Sequence, residues 1–279
     1  MDGLRLRCLQ AGEAGAPVVL LHGGGVDGAG FSFRSAIPRL AEQHQVYAPE
    51  WPGFGESDPL PSDWSIASLV PLVGKLLDAF ELERATLVGL SMGGGAALGF
   101  ALEAPRRVDR LALVDSYGLG GDVPGRWAGY VLVHASLLNW LSWTLVGRSR
   151  RLARMSLRAT FPCHPEMATD EVFAEFWALL QRPGAAAAWR QLQRKDVLWG
   201  RVATNYVDRL PLLDVPTLLV HGARDPAVPL AWAERAQRLI PGSGLVVIPE
   251  SGHITPLERP RAFNEALLRH LAGGQRDVS

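Results

Sequence analysis

The chain is poor in cysteine, and it carries no excess of charge of either sign. Its 279 residues include two cysteines, Cys8 and Cys163, and neither belongs to a CxxC pair or to a zinc-type spacing with histidine. Two isolated cysteines cannot build a disulfide framework or a zinc site. Lys+Arg and Asp+Glu both number 28, so the formal net charge is zero. A neutral chain has no broad attraction for phosphate backbones, and we expect no nucleic-acid partner.

The sequence also lacks the marks of an exported chain. Its first ten residues interleave charged and apolar side chains instead of forming the continuous apolar stretch of a signal peptide. It contains no N-x-S/T acceptor for glycosylation. We therefore expect a cytoplasmic location. A hydrophobic content of 48% with 20% charged residues is typical of a folded globular chain.

Short apolar runs recur along the chain without period-2 alternation, as in parallel strands that helices cover on both faces. These runs are PVVLL (17–21), ATLVGL (85–90), RLALV (110–114), PTLLV (216–220) and GLVVI (244–248). Stretches with helical spacing of apolar residues lie between several of them. This pattern predicts an α/β domain with a mostly parallel sheet flanked by helices. The N-terminal run LRLRCL alternates instead, and it predicts an antiparallel edge strand.

Polar or glycine-rich groups follow each of these runs directly. A His-Gly-Gly-Gly run follows the first, Ser91 follows the second, Asp115 the third, HGARD the fourth and PESGH the fifth. In open α/β sheets a site lies beyond the carboxyl ends of the strands. The sequence therefore predicts that these groups converge on one site.

The alternation of apolar runs and helical stretches stops between about residues 117 and 206. This stretch contains six of the nine tryptophans. We expect residues 117–206 to form an inserted helical cap, with residues 1–116 and 207–279 forming the core. Within the insertion, residues 127–146 carry no formal charge, and five arginines follow closely. The length alone fits a bilayer span, but embedded polar residues such as His134 and Asn139 favour cap helices that line an apolar pocket. Shallow contact with a membrane surface is the alternative.

The segment Gly89-Leu90-Ser91-Met92-Gly93 predicts a nucleophilic serine. It stands between a predicted strand and a predicted helix, where a nucleophile needs a tight turn with small residues two positions away on each side. Gly89 and Gly93 meet that need. The alternative is a glycine-rich turn with an incidental serine.

A serine nucleophile needs a base and an acid that orients the base. Of the seven histidines, His253 alone combines a strand end, a preceding glycine and a following helix start. His22 is expected to have a hydrogen-bonding structural role, and His270 to lie at the surface. Asp225 and Asp115 both follow strands and compete for the role of the acid. The chain order Ser91, Asp225, His253 favours Asp225, and a loop-fixing role is expected for Asp115.

The oxyanion of an acyl-transfer intermediate needs preorganised N–H donors. The backbone amide of Met92, directly after the nucleophile, is the first candidate. The second is expected from the glycine run that follows the first strand, and we choose Gly24, with Gly25 as the next choice.

These motifs together resemble the α/β-hydrolase superfamily. They include Pro52-Gly53-Phe54-Gly55-Glu56-Ser57, the serine segment, Gly222-Ala223-Arg224-Asp225 and the stretch from Gly252 to Glu258. The resemblance covers residues 15–115 and 210–272, and no motif matches the insertion. It implies a Ser–His–Asp triad, a site at the strand ends under a helical cap, no cofactor and no metal.

Within that superfamily, Ser91 excludes the usual haloalkane dehalogenases and epoxide hydrolases, which carry aspartate at this position. The segment resembles carboxylesterases, enol-lactonases and cofactor-free perhydrolases. Meta-cleavage C–C bond hydrolases share the Ser-Met-Gly-Gly run but usually place asparagine before the serine, where this chain has Leu90. We predict a serine hydrolase of an apolar carboxylic ester or lactone. The alternatives are a C–C hydrolase or perhydrolase on the same triad, and a binding protein of this fold without turnover; the sequence does not determine the oligomeric state.

Overall fold

The computed structural model describes residues 3–123, 126–182 and 184–273, and its centre is a seven-stranded sheet. The strand order is β1-β3-β2-β4-β5-β8-β9, in which β1 is antiparallel to β3 and the other pairs are parallel. The remaining two strands form a separate antiparallel hairpin. In chain order the strands are β1 (Cys8–Ala11), β2 (Pro17–Leu21), β3 (Gln45–Pro49), β4 (Ala85–Leu90), β5 (Val108–Val114), β6 (Val197–Leu198), β7 (Arg201–Val202), β8 (Thr217–Gly222) and β9 (Gly244–Ile248).

Helices cover both faces of the sheet and fill the stretch between β5 and β8. In chain order they are α1 (Ala29–Ser32), α2 (Ala36–Ala41), α3 (Ile66–Ala79), α4 (Met92–Glu103), α5 (Arg126–His134), α6 (Ser136–Arg148), α7 (Arg150–Thr160), α8 (Asp170–Leu180), α9 (Ala187–Asp196), α10 (Leu230–Leu239), α11 (Thr255–Glu258) and α12 (Pro260–Leu271). Short 3₁₀ turns occur at Pro105–Arg107, Pro165–Met167 and Val207–Leu212.

Alternate residues of the central strands enter two different cores, as expected of strands buried on both faces. In β2, Val19 and Leu21 pack in the core that contains residues of α3, α4 and α10. Val18 and Leu20 pack in the opposite core with residues of α2 and α12. A third cluster joins α7 and α8 to Phe31 of α1. The predicted α/β class with a mostly parallel sheet is confirmed.

The antiparallel edge strand expected near the N-terminus is present, but it begins later than the alternating run. It was expected over LRLRCL, residues 4–9, whereas β1 pairs with β3 from Cys8 to Ala11. The residues before it are held by other contacts: the Arg7 carbonyl accepts a hydrogen bond from the Glu50 amide at 2.8 Å, and Arg5 pairs with Asp58 at 3.0 Å.

The stretch between β5 and β8 contains α5 to α9 and the β6–β7 hairpin. Its two ends meet, since Gly118 forms an isolated bridge with Asn205 and accepts a hydrogen bond from the Tyr206 amide at 2.9 Å. The uncharged stretch 127–146 is divided between α5 and α6, which break at Ala135. Among the helices of the described residues, none has both the length and the apolar character of a membrane span. The division into a cap of residues 117–206 and a core stays a prediction.

Replacement of Gly93 tests how closely α4 packs on β2. A Cβ atom at this position would lie 2.2 Å from the Leu21 carbonyl oxygen and 2.5 Å from that of His22, and backbone atoms of a central strand cannot move aside. We expect Gly93→Ala to lower the free energy of unfolding by about 3 kcal/mol in urea denaturation. Gly147→Ala is the control, because no atom lies within 4 Å of the added carbon on helix α6. It should raise stability by about 0.5–1 kcal/mol. Equal stability of Gly93→Ala and the wild type would contradict this packing.

Candidate active site

Ser91 occupies the single residue between β4 and α4, in a strained backbone conformation. Its φ is 50° and its ψ is −115°, a region that side-chain-bearing residues rarely adopt. The turn closes tightly, since a Cβ on Gly89 would lie 2.5 Å from the Gly93 carbonyl oxygen. The small residues on either side of the serine are therefore required by backbone contact, as the sequence pattern predicts.

His253 lies in the loop after β9, within hydrogen-bond distance of both Ser91 and Asp225. Its Nε2 is 2.9 Å from Ser91 Oγ, and its Nδ1 is 2.8 Å from Asp225 Oδ2. With the ring proton on Nδ1, His253 donates to the carboxylate and accepts from the serine hydroxyl. The three predicted side chains thus lie in one hydrogen-bonded chain.

Asp225 is held as an anion by its own loop. Its Oδ1 accepts hydrogen bonds from the amides of Ala227 at 2.7 Å and Val228 at 3.0 Å. Burial raises the pKa of Asp225, but the hydrogen bond from His253 and these amides outweigh it, and the pKa is lowered overall. Burial lowers the pKa of His253, whereas the bonded Asp225 carboxylate raises it, and the net pKa lies above the usual value. This pair stabilises a protonated imidazole.

Asp115, the competing candidate for the acid, is buried behind the triad and does not bond to His253. It accepts hydrogen bonds from the amide of Gly222 at 2.8 Å and from that of Thr255 at 3.2 Å. These contacts tie the end of β8 to the loop that carries His253. Burial and the negative charge of Asp225 raise the pKa of Asp115 to about 7. The geometry matches the loop-fixing role that the sequence predicts for this residue.

Asp115, His221 and Asp225 each place one potential ligand atom within 4.8 Å of the others. Their hydrogen bonds do not fit a metal site. Both carboxylates accept from backbone amides, and His221 Nε2 is 3.0 Å from the Val228 carbonyl oxygen, to which it donates. Burial lowers the pKa of His221, which favours its neutral form. The cluster therefore fits a hydrogen-bond network that supports the triad.

Glu258 anchors the loop of His253 from the other side, a role that the sequence does not reveal. Its buried carboxylate accepts hydrogen bonds from the amide of Gly252, directly before His253, and from that of Cys163 at 3.2 Å. In the sequence, Glu258 is only the last residue of the motif that runs from Gly252 to Glu258. Nothing in the pattern pairs it with a residue 95 positions earlier.

The two predicted oxyanion donors come from two different segments of the chain. Met92 begins α4, where the first amides have no partner within the helix. Gly24 follows Gly23, whose amide is bonded to Asp27 Oδ2 at 2.9 Å and whose added Cβ would lie 3.4 Å from Ser91 Cβ. The loop after β2 therefore passes close to the serine. The oxyanion role of Met92 and Gly24 stays a prediction.

Two other histidines show structural roles. His22 Nδ1 lies 2.8 Å from the Gly23 carbonyl oxygen, and Nε2 accepts from the Trp51 amide at 3.1 Å. Burial lowers the pKa of His22, so the neutral ring joins two loops, as expected. His270 was expected at the surface, and that prediction is wrong, because α12 turns this side chain inward and leaves it 4% exposed. Burial lowers the pKa of His270 to about 4.

Trp189 of α9 covers the predicted oxyanion loop, and no local sequence pattern distinguishes it from the other tryptophans of the insertion. A Cβ on Gly24 would lie 2.2 Å from Trp189 Cζ3, so the indole ring packs directly on this glycine. A cavity of about 350 Å³ lies on one side, with Phe54, Leu60, Leu179 and Ala188 in its wall. A second cavity of about 580 Å³ lies between α6 and α9. Ser91 lines neither of these two cavities.

The comparison with known proteins agrees with this geometry. The profile of the alpha/beta hydrolase fold matches residues 16–260, and the chain belongs to this family. The 2-hydroxy-6-oxo-6-phenylhexa-2,4-dienoate hydrolase of Burkholderia cepacia is 30% identical over 279 residues, which cover 98% of this chain and 93% of that protein. The superfamily predicted from the motifs is confirmed.

Two solved structures that resemble this chain are named as hydrolases of different kinds. A meta-cleavage product hydrolase from Pseudomonas fluorescens superposes with a TM-score of 0.79 at 28% identity, over 97% of this chain and 95% of that one. A thermophilic esterase from Thermogutta terrifontis superposes with a TM-score of 0.74 at 26% identity, over 98% of this chain and 95% of that one. The chain is thus similar to hydrolases of two different substrate classes.

The raised pKa of Asp115 predicts a pH-dependent stability. Between its ordinary value of 3.8 and about 7, the native state keeps a proton on Asp115 that the unfolded chain has released. The free energy of unfolding therefore falls as the pH rises through this window, by up to about 1.4 kcal/mol per pH unit. We expect Asp115→Asn to flatten that slope in urea denaturation at several pH values. Asp122→Asn, at an exposed position, is the control; an unchanged slope in Asp115→Asn would contradict the assignment.

Proposed function

We propose that this chain is a serine hydrolase that cleaves a carboxylic ester or lactone through an acyl-enzyme. The observation that carries the proposal is the hydrogen-bonded chain from Ser91 Oγ through His253 to Asp225, with distances of 2.9 and 2.8 Å. A serine hydroxyl is a weak nucleophile on its own, and this arrangement supplies both the base and the group that orients it.

In the first half-reaction, Ser91 Oγ attacks the carbonyl carbon while His253 Nε2 accepts the hydroxyl proton. Asp225 stays ionised and stabilises the imidazolium that forms. The amides of Met92 and Gly24 donate to the oxyanion, and such donors contribute about 2.7–4 kcal/mol each in comparable enzymes. The intermediate collapses as His253 protonates the leaving alcohol. In the second half-reaction His253 activates a water that hydrolyses the acyl-enzyme.

Hydrolysis of a C–C bond on the same triad is the second candidate. It is favoured by the similarity to proteins named as meta-cleavage product hydrolases, at 28–30% identity over nearly the whole chain. The substrate in the name of the Burkholderia cepacia protein, 2-hydroxy-6-oxo-6-phenylhexa-2,4-dienoate, has a carboxylate at C1 and a ketone at C6. Leu90 before the serine, where such enzymes usually have asparagine, weighs against this candidate.

Parallel assays of the wild type and Ser91→Ala would separate the two candidates. We expect p-nitrophenyl esters, tested from acetyl to palmitoyl, to be hydrolysed by the wild type and about 10⁶-fold more slowly by Ser91→Ala. Ser62→Ala, at an exposed site, should retain full activity. Cleavage of 2-hydroxy-6-oxo-6-phenylhexa-2,4-dienoate with a higher kcat/KM than any ester would transfer the assignment to C–C hydrolysis. Ester turnover that survives in Ser91→Ala would refute the proposed mechanism.

Trp189 is expected to limit the length of the acyl group, because its ring fills the space next to Gly24. We predict that Trp189→Ala raises kcat/KM for long-chain esters relative to acetyl esters by about tenfold. This is the gain from accommodating roughly two more methylene groups. Trp199→Ala, at a side chain 73% exposed, is the matched control and should leave the chain-length profile unchanged. An equal loss on all esters would show that Trp189 only packs.

A further inference from the structure

Helices α5 and α6 expose an unusually apolar surface. Helix α6 buries none of its thirteen residues. Large apolar side chains from 42% to 72% exposed project from the two helices, which pack against each other. Because α5 and α6 form a helical hairpin, we call this surface the hairpin face. It consists of Trp127, Val131, Leu132, Leu137, Leu138, Trp140, Leu141 and Leu145. Single exposed leucines are ordinary, whereas a contiguous group of this kind marks a surface that contacts something apolar.

The spacing of the exposed leucines along α6 places them together. Leu137, Leu141 and Leu145 recur every four residues along α6 and share one side of the helix. With nine and thirteen residues, α5 and α6 are each shorter than the roughly 20 residues of a transmembrane helix. A contact made by this face is therefore a surface contact.

The segment that forms the hairpin face and α7 carries only positive charge, and Asp170 of the following helix α8 pairs with Arg154 at 2.6 Å. From residue 123 to residue 165 the sequence contains no aspartate or glutamate, while it contains six arginines in a chain of zero net charge. Among the described residues, no carboxylate pairs with the exposed Arg148, Arg151 or Arg158. On α7, Arg151 and Arg158 precede and follow Leu152 and Met155, which are 38% and 57% exposed. Exposed apolar side chains and unpaired arginines thus occur together along α6 and α7.

A groove at the edge of the hairpin face repeats this combination. The cavity of about 580 Å³ between α6 and α9 is lined by Trp140 of the face and by Arg190, Arg194 and Lys195. Its other lining residues include no acidic side chain. A groove with three cations beside an apolar surface suits an anionic headgroup whose tail lies on that surface.

We propose that the hairpin face docks on a membrane surface that contains anionic lipids. Its leucines and tryptophans enter the boundary between headgroups and acyl chains, and the surrounding arginines contact lipid phosphates. A second copy of the chain fits less well, because symmetric pairing of this face would bring the arginines of one copy towards those of the other. Lipid phosphate supplies the negative charge that the face itself lacks.

Flotation of the full chain with vesicles tests this proposal. We expect at least tenfold more protein to float with phosphatidylglycerol–phosphatidylcholine vesicles than with pure phosphatidylcholine vesicles, and high salt to weaken this binding. The double variant Arg148→Glu/Arg151→Glu should lose at least tenfold in binding. Its control is Arg238→Glu/Arg269→Glu, which changes the net charge equally at exposed sites of α10 and α12 and should float like the wild type.

The apolar contribution is tested by Leu137→Glu against Leu212→Glu, because the two side chains are 72% and 74% exposed. Only the first should reduce binding, with both variants unfolding at the wild-type temperature by circular dichroism. Quenching of Trp127 and Trp140 fluorescence by brominated lipid should accompany binding and disappear in Trp127→Phe/Trp140→Phe. Failure of the wild type to float with anionic vesicles would overturn the proposal. A dimer in sedimentation equilibrium that Leu137→Glu dissociates, without flotation, would assign the face to a second copy instead.

Discussion

The backbone of Ser91 is held in its unfavourable conformation from two directions. Its amide donates to the Val114 carbonyl oxygen of β5 at 2.9 Å, and its own carbonyl accepts from the amides of Gly95 at 3.1 Å and Tyr117 at 3.0 Å. This one residue therefore links three segments by hydrogen bonds: the end of β5, the first turn of α4 and the residues that follow β5. Because the sheet fixes the hydroxyl before a substrate binds, the cost of orienting the nucleophile is met during folding.

The two buried carboxylates near Ser91, Asp225 and Asp115, differ in how their negative charge is stabilised. Asp225 receives two amides and the His253 ring, and its charge is compensated. Asp115 receives two amides, but its complete burial and the nearby charge of Asp225 make its ionisation more costly. The charge of Asp115 also raises the pKa of His253. When Asp115 binds a proton below about pH 7, this contribution is lost and the pKa of His253 falls. A proton on either group therefore lowers the proton affinity of the other.

The parts of the site that sequence reasoning could predict are those set by local turns and strand ends. Ser91 follows from two flanking glycines, and Asp225 and His253 follow from the rule that parallel strands end at one edge. Trp189 contacts Gly24, and Glu258 contacts Cys163 as well as the nearby Gly252; no local pattern encodes the two pairings that span more than 90 positions. The burial of His270 could not be predicted for the same reason. Packing of α12 against the rest of the fold decides which face of the helix is buried, and His270 lies on that face.

The orientation of α9 bears directly on the choice between ester and C–C bond hydrolysis. Successive residues of an α-helix point about 100° apart. Trp189 faces Gly24, and Arg190, the next residue, lines the cavity beside α6. A substrate carboxylate that contacted Arg190 would therefore lie about 100° around α9 from the indole ring that covers Gly24. As α9 stands, its indole ring presents an apolar surface to Gly24 of the predicted oxyanion loop, which suits the acyl group of an uncharged ester.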